Sequence, residues 1–414
     1  MSDLFQYGTS TQLSIPGKLD DRWTIADIPR GEEVADVRGV TRAALREPLE
    51  FPPLSKTVVE GDLVAVAVGP NVPKVGEVVA AVIYELLEAG IEADDITVVC
   101  TQDEPLDPRH ALPAMLRGRV ALDRHDPAHH DGLEFLTSNR KGRAVYLNRA
   151  ICEAGMLVAI GAVQPAEGHN FQGLFSGLYP TFSDADTQIR YRNPRLLDPT
   201  APLGDRARLE VEKVSWLAGA LFAVQVLPAG PDGVAAILAG DPQRVALESQ
   251  RQYTKTWSCD LYPPAELVVA AIRGDERQQT WDNIARTMIT ASRMIDDRGA
   301  IVICSELAAA PQEGVRGLIG DSRWERTLRR LDNRRPVDAL TAVAIAATVE
   351  HIKVYLLSKL DADLVGELGM EPVAEVSDVV RLMQRHENCL LLPNAQYAVA
   401  SRSEPPTQRK ERPK

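Results

Sequence analysis

One stretch of the chain gathers groups suited to acid–base chemistry. Residues 169–180 read HNFQGLFSGLYP and hold His169, Gly173, Ser176 and Gly177. An imidazole titrates close to neutral pH, so His169 on irregular backbone can take or give a proton. The two glycines let backbone approach a bound group closely, and Ser176 adds a hydroxyl that both donates and accepts. The competing reading is a helix entry packed by Phe171, Phe175 and Tyr179. Glu104 stands just past the apolar run ITVVCT at 96–101, where a carboxylate partly removed from water can act as a general base. A third group is the loop GPNVPKVG at 69–76, whose Asn71 and Lys74 precede a helical pattern. A helix start with a lysine beside it can hold a phosphate. Two prolines remove N–H donors there, and neither a dinucleotide fingerprint nor a Walker sequence is present, so a plain turn is the alternative.

Other polar clusters carry less. His125, His129 and His130 fall within six residues, but a helix beginning at Pro127 leaves His125 outside it. A solvated turn is expected, and no metal ligand set is assigned. His110, His351 and His386 stand singly beside helical or core patterns and read as structural histidines. In the second half, Gln278, Gln279 and Trp281 follow a strand end and could line a substrate cleft by hydrogen bonding and stacking. A helix start with a buried Trp281 is the alternative.

These groups need a scaffold, and the apolar pattern supplies one. DLVAVAV at 62–68, the helical KVGEVVAAVIYELLEAG at 74–90 and ITVVCT make strand, helix, strand, a unit that pairs strands in parallel. GMLVAIG at 155–161 predicts another strand, which puts the 169–180 loop at a carboxyl edge, where open α/β sheets bind ligands. LFAVQVLP and GVAAILAGD, joined by AGPDG, predict a strand pair, followed by a helix over 242–256. After the prolines of CDLYPP the alternation resumes with ELVVAAI, a helix over 280–295, AIVICSE, IKVYLLS and ENCLLLP. The expected fold is α/β: two α/β domains with mainly parallel sheets and an interdomain cleft. The N-terminal domain spans 1–258, the second 259–398, and a polar, proline-containing tail at 399–414 reads as disordered.

The bulk numbers agree. A chain of 414 residues exceeds one ordinary core, and 45% hydrophobic with 25% charged residues is an ordinary globular mixture. A net charge of −12 argues against nucleic acid or an anionic membrane as partner. The five cysteines are scattered through apolar runs and read as reduced core thiols. The first ten residues lack a signal-peptide pattern, and no apolar run reaches spanning length, so a cytoplasmic protein is expected. The sequence assigns no oligomeric state.

The order of features resembles the lactate racemase LarA family, whose members use a nickel-pincer nucleotide to racemise or epimerise 2-hydroxy acids. The resemblance follows TRAALREPLEFPPL, EGDLVAVAV, ITVVCT, DRHD, AVYLNRAICEAGMLVAIGAVQP and HNFQGLFSG, then continues through GDERQQTWDNIARTMITASRMIDDRGAIVICSE. It implies a two-domain α/β protein in which a histidine removes the substrate hydroxyl proton while hydride passes from the α-carbon to the pincer ring. The family's His-x-Phe-x-Gly run fits HNFQG, which carries one catalytic histidine over to His169. Glu104, in Gln102-Asp103-Glu104-Pro105, stands where a Gly-x-His-Arg run would supply another.

Departures accompany the matches. VGPNVP keeps only the last proline of an Asp-x-Thr-Arg-Pro-x-Pro run, and SGLYP meets a Ser-Gly-Gly-x-Lys stretch without its lysine, the residue that would hold the cofactor covalently. DADTQIRYRNPR offers Arg190, Arg192 and Asn193 in place of a nickel-ligand histidine. The resemblance thus implies a divergent member, a racemase or epimerase of a 2-hydroxy acid or sugar acid that uses His169 and Glu104. Any nickel-pincer nucleotide would be held non-covalently, by Asn71, Lys74, Gly173, Ser176 and Gly177. The alternative is a catalytically inactive homologue that binds a small anionic ligand in the interdomain cleft. A nicotinamide oxidoreductase rests on the α/β pattern alone and lacks the glycine fingerprint.

Overall fold

A run such as VAVAV, apolar at every position, suits a strand covered on both faces by helices. In the computed structural model, which describes residues 5–13, 22–29, 31–165, 171–172, 177–197, 203–260, 264–320 and 324–401, that run is a buried central strand. Residues 30–253 form one compact unit, and residues 1–29 with 254–414 form another.

The 30–253 unit opens with helix α1 (Val37–Arg46), started by the Asp36 carboxylate, which accepts from the Gly39 N–H. There follow β1 (Val64–Val68), α2 (Val75–Glu88), β2 (Ile96–Thr101), β3 (Ala121–His125), β4 (Met156–Ala162), β5 (Phe222–Pro228) and β6 (Val234–Gly240). The sheet order is β6-β5-β4-β1-β2-β3, parallel except for β6, which returns antiparallel from β5. Helix α2 carries apolar residues almost all round because α1 covers its outer side. Arg42 and Arg46 of α1 reach Glu85 and Glu88 of α2, so this contact is held by charge as well as by packing.

The second unit is built from α3 (Pro242–Trp257), whose last turn enters it, then β7 (Ala265–Ala271), α4 (Trp281–Ser292), β8 (Ile295–Cys304), α5 (Ala339–His351), β9 (Lys353–Leu357), β10 (Glu371–Val373) and β11 (Cys389–Leu392). Its sheet is parallel throughout, in the order β10-β9-β8-β7-β11, with the short strand Trp23–Ile25 at the far edge.

Three expectations change. Residues 1–29 do not join the N-terminal unit: Trp23–Ile25 pairs with β11, and the Gly8 N–H donates to the Ile272 carbonyl at 2.8 Å. The tail does not begin at 399, because Val399–Ser401 pairs in parallel with Ser258–Asp260; residues 402–414 lie outside the described residues. Pro127 starts no helix. The chain turns there and makes one 3-10 turn at His130–Gly132, because residues 133–148 must enter an antiparallel hairpin of Leu133–Ser138 with Ala144–Asn148. Among the described residues no helix is long and apolar enough to cross a membrane.

Candidate functional site

The strand order of the 30–253 unit runs outward from β1 through β2 to β3, then resumes on the other side of β1 with β4. Connections therefore leave β1 and β4 in opposite directions. The gap at their carboxyl ends is the topological switch point, where open α/β sheets take their ligands. The connections singled out by sequence leave the sheet at or beside this edge: the 69–74 turn from β1, Glu104 just past β2, and residues 163–165 past β4, from which the chain runs on towards the 169–180 stretch.

Two glycines close the β1 end. The Gly69 N–H donates to the Ile160 carbonyl of β4 at 2.8 Å. A Cβ on Gly69 would lie 3.3 Å from the Cα of Gly177, so the returning segment rests directly on the turn after β1. That turn then places Asn71 (φ 59°) and Lys74 (φ 50°) in the left-handed region. Asparagine adopts it readily; lysine does so at a cost of about 1 kcal/mol or more. The Lys74 ammonium lies 2.8 Å from the Asp232 carboxylate in the turn between β5 and β6. It is thus already matched by an anion, which lessens its value for a phosphate.

Glu104 is half-buried, and its backbone is fixed: its N–H donates to the Thr101 carbonyl at 3.2 Å and its carbonyl accepts from Arg124 Nη1 at 2.7 Å. His169, Gly173 and Ser176 lie outside the described residues. The structure brings to this edge a residue that the sequence reading set aside. His110 lies over Gly76 in the first turn of α2, where an added Cβ would come within 2.5 Å of Nε2. Its position between β2 and the next helix, on a connection that must start at the carboxyl edge, was the available signal.

The histidine cluster separates. His125 is not in a solvated turn: it is 4% exposed, its Nε2 lies 3.0 Å from the Ser183 carbonyl, and its ring meets Phe182 edge-on. Burial pushes its pKa down, against the hydrogen bond to Ser183. His129 and His130 are exposed, and no group of three metal-ligating side chains occurs among the described residues.

In the other unit, Gln279, Thr280 and Trp281 line a cavity of about 730 Å³ at the carboxyl ends of β7 and β8; Gln278 does not line it. The Gln279 amide is committed internally, donating to Gly274 O at 3.0 Å and accepting from Ser305 Oγ at 2.7 Å and Glu306 N at 2.8 Å. Trp281 donates to the Ala309 carbonyl at 2.9 Å, and Gln278 Oε1 accepts from the Tyr397 hydroxyl at 3.1 Å. Four carboxylates, Glu276, Asp282, Glu306 and Asp338, face the cavity against the ammonium of Lys359. The Thr11 hydroxyl, with Lys359 adding to it against burial, holds Glu306 below the usual carboxylate range. A small anion is poorly matched to this lining.

Comparison with known proteins now bears on the whole. Residues 7–187 match the family model of the lactate racemase N-terminal domain. Over that segment the chain is thus lactate racemase-like. Its fold is similar to that of the lactate racemase apoprotein from Thermoanaerobacterium thermosaccharolyticum, at 14% identity and a TM-score of 0.79, over 96% of this chain and 99% of that one. A protein from Thermotoga maritima is similar at 12% identity and a TM-score of 0.65, over 90% of this chain and all of that one, 100%. No curated protein matches the sequence.

A nickel-pincer nucleotide, the cofactor of lactate racemases, does not fit this chain in covalent form at residues 178–180. Leu178, Tyr179 and Pro180, where the sequence meets the expected lysine, present no amine; Leu178 and Tyr179 are buried, and the Tyr179 hydroxyl donates to Glu210 Oε1 at 3.1 Å.

Proposed function

We propose that this chain takes a small anionic ligand, a 2-hydroxy acid or sugar acid, at the carboxyl edge of the 30–253 sheet. It acts there as an isomerase at the carbon bearing the hydroxyl. His169 and Glu104 are the proton-transfer groups in this reading, one on the connection after β4 and the other just past β2. The observation that carries it is the switch point between β1 and β4, closed at its base by Gly69 against Gly177. A carboxylate and an imidazole suit the task because each can be charged or neutral near pH 7 once its surroundings are set. Any nickel-pincer nucleotide would be held without a lysine bond, and Gly177, Asn71 and Lys74 are the described residues proposed to lie beside it. A cytoplasmic setting accords with cysteines that are all free, four of them buried.

A second reading is ligand binding without turnover. The absence of an amine at residues 178–180 and the pairing of Lys74 with Asp232 favour it. One experiment separates the two. Purified full-length protein is incubated with single enantiomers of lactate and with epimeric sugar acids, with and without activated pincer nucleotide, and products are resolved by chiral chromatography. Interconversion that disappears in His169→Ala supports the isomerase. Saturable calorimetric binding without interconversion supports the second reading, and neither signal overturns both.

A further inference from the structure

At the amino-terminal edge of the 30–253 sheet, the end away from the switch point, large apolar side chains stand in water. Leu63 lies one residue before β1, Leu221 one before β5, and Gly155 one before β4, the strand between those two. The register is close, because the Gly155 and Met156 N–H groups both donate to the Leu63 carbonyl, at 2.9 and 3.2 Å. The helix Leu203–Leu217 brings its last turn to the same edge, since the chain passes from it directly into β5. Two bonds tighten that passage: the Gly219 N–H donates to the Trp216 carbonyl at 3.0 Å and the Ala220 N–H to the Ser215 carbonyl at 3.1 Å. Val211, Val214 and Ala218 bury the inner side of the helix end, so Trp216 and Leu217 are turned outward. With Val59, in the turn before β1, five apolar residues are exposed here, Val59 at 68% and Trp216 at 67%.

Single exposed apolar side chains are ordinary on any surface; five gathered around neighbouring strand starts mark a contact face. Gly155 in their midst has neither a positive φ nor a crowded Cβ, whose nearest neighbours would lie at 3.8 Å. The fold therefore does not ask for glycine at this position. Its bare backbone leaves a trough between Leu63 and Leu221, and an apolar side chain laid in it releases water from both surfaces. The rim sets the charge of the partner. Glu60 and Asp62 precede β1, Asp95 lies in register opposite Leu63, Glu153 ends the short helix leading to Gly155, and Glu212 stands one turn before Trp216. Against these five carboxylates stand Lys56 and Lys213, while Glu92 and Asp94, farther along the edge, share Arg119. A second copy packed two-fold on this edge would set the same carboxylates against each other, and nucleic acid or anionic lipid would be repelled by them. A basic segment meets them with opposite charge.

We propose that this edge docks a partner protein through an amphipathic helical segment whose apolar face is flanked by lysine or arginine. Its apolar side chains enter the trough over Gly155, between Leu63, Leu221 and Trp216, and its cations meet the acidic rim. Docking there leaves the carboxyl edge of the same sheet open.

The test uses the full-length protein and two synthetic amphipathic peptides with one leucine pattern, the first carrying lysine and the second glutamate at the polar positions. Calorimetry should show saturable binding of the leucine–lysine peptide, weakened severalfold by added salt. Gly155→Lys, which fills the trough and adds a cation to the rim, should weaken binding roughly tenfold or more, and so should Leu63→Ser combined with Leu221→Ser. Melting temperatures of these variants should stay within about 2 °C of the parent. Val337→Ser, at an exposed apolar residue of the other unit, should bind as the parent does. The fluorescence of Trp216, taken as the difference from Trp216→Phe, should shift to the blue as its indole leaves water. The inference is overturned if the leucine–lysine peptide does not saturate, if the leucine–glutamate peptide binds equally well, or if the edge variants bind like the parent. Sedimentation showing a dimer that Gly155→Lys dissolves gives the edge to a second copy and also overturns it.

Discussion

Replacing Gly69 with alanine probes the closure of the switch point directly. The new Cβ would meet the Gly177 Cα and the Ile160 carbonyl oxygen, each at 3.3 Å. Both neighbours are backbone, and Gly69 is itself bonded to that carbonyl, so relief requires a shift of a few tenths of an ångström in the segment or the strand end. Overpacking of this degree costs about 1–2 kcal/mol. Neither Gly69 nor Gly177 has a positive φ, so alanine is allowed at both and recovers about 0.4–1 kcal/mol by restricting the unfolded chain. The net loss at Gly69 is about 0.5–1 kcal/mol, a drop of roughly 1–4 °C in melting temperature for a unit of this size. Gly177→Ala behaves differently. Among the described residues its Cβ would meet the Gly69 Cα alone, at 3.6 Å, an ordinary contact, so that variant should be as stable as the parent or slightly more so. Urea melts of the two full-length variants give the comparison, and calorimetry with lactate should show the larger loss of binding in Gly69→Ala. Equal stability shifts, or greater damage from Gly177→Ala, would refute the packing on which the switch-point closure rests.

Three further outcomes follow from buried groups. Burial pushes the Glu85 carboxyl up, but hydrogen bonds from Arg46 and Arg42 outweigh it and hold the pKa below the usual range. Its stabilisation is present above the unfolded value of about 4.3 and is lost as pH falls through the folded value. Glu85→Gln should cost about 1–2 kcal/mol near pH 7, because both guanidiniums still reach water, and the gap should close in urea melts near pH 3. His125 is held neutral, so the folded chain binds fewer protons than the unfolded one below about pH 6.5 and stability falls with pH there. His125→Phe should flatten the slope of melting temperature from pH 7 to 5; an unchanged slope counts against this origin. Burial raises the thiols of Cys100, Cys152 and Cys389 to about 11 and that of Cys304 to about 12. Native protein at pH 8 should therefore leave these four unmodified by dithionitrobenzoate, whereas unfolded protein reacts at all of them.

The central strands of both sheets were legible because apolar runs bounded by turn residues have few other homes. VAVAV became β1 and ELVVAAI became most of β7 with hardly a shift in boundary. What escaped was set by partners distant in the chain. Three residues at Trp23–Ile25 carry too little pattern to announce a strand, and their pairing with β11, with the bonds of Gly8 to Ile272 and Gly274, sends the first 29 residues to the other unit. Pro127 carried a helix-start signal that the following hairpin overrode. Glu104 was legible in position, since it follows an evident strand. His110 carried the same positional signal, but its ring lies over a glycine 34 positions earlier, so nothing nearby in the sequence told it from a surface histidine.

Each unit's sheet has a switch point, yet they differ in what occupies it. In the unit of residues 1–29 and 254–414 the strand order turns at β7 and β11, and the chain fills that place itself. Ala395 N–H donates to the Ala271 carbonyl at 2.9 Å, Gln396 Nε2 to the Arg273 carbonyl at 2.7 Å, and the Tyr397 hydroxyl to Gln278 Oε1 at 3.1 Å. Asn394, Gln396 and Tyr397 are all buried there. A ligand entering would have to break these bonds, each worth about 1 kcal/mol, and bury polar groups that had lost their partners, which costs more. At the β1–β4 switch the closure among the described residues is a contact between two glycines, and the His110 ring is exposed near it. Side chains that keep polar atoms in water can exchange that water for a ligand at little cost, which is why the functional reading belongs to the 30–253 unit.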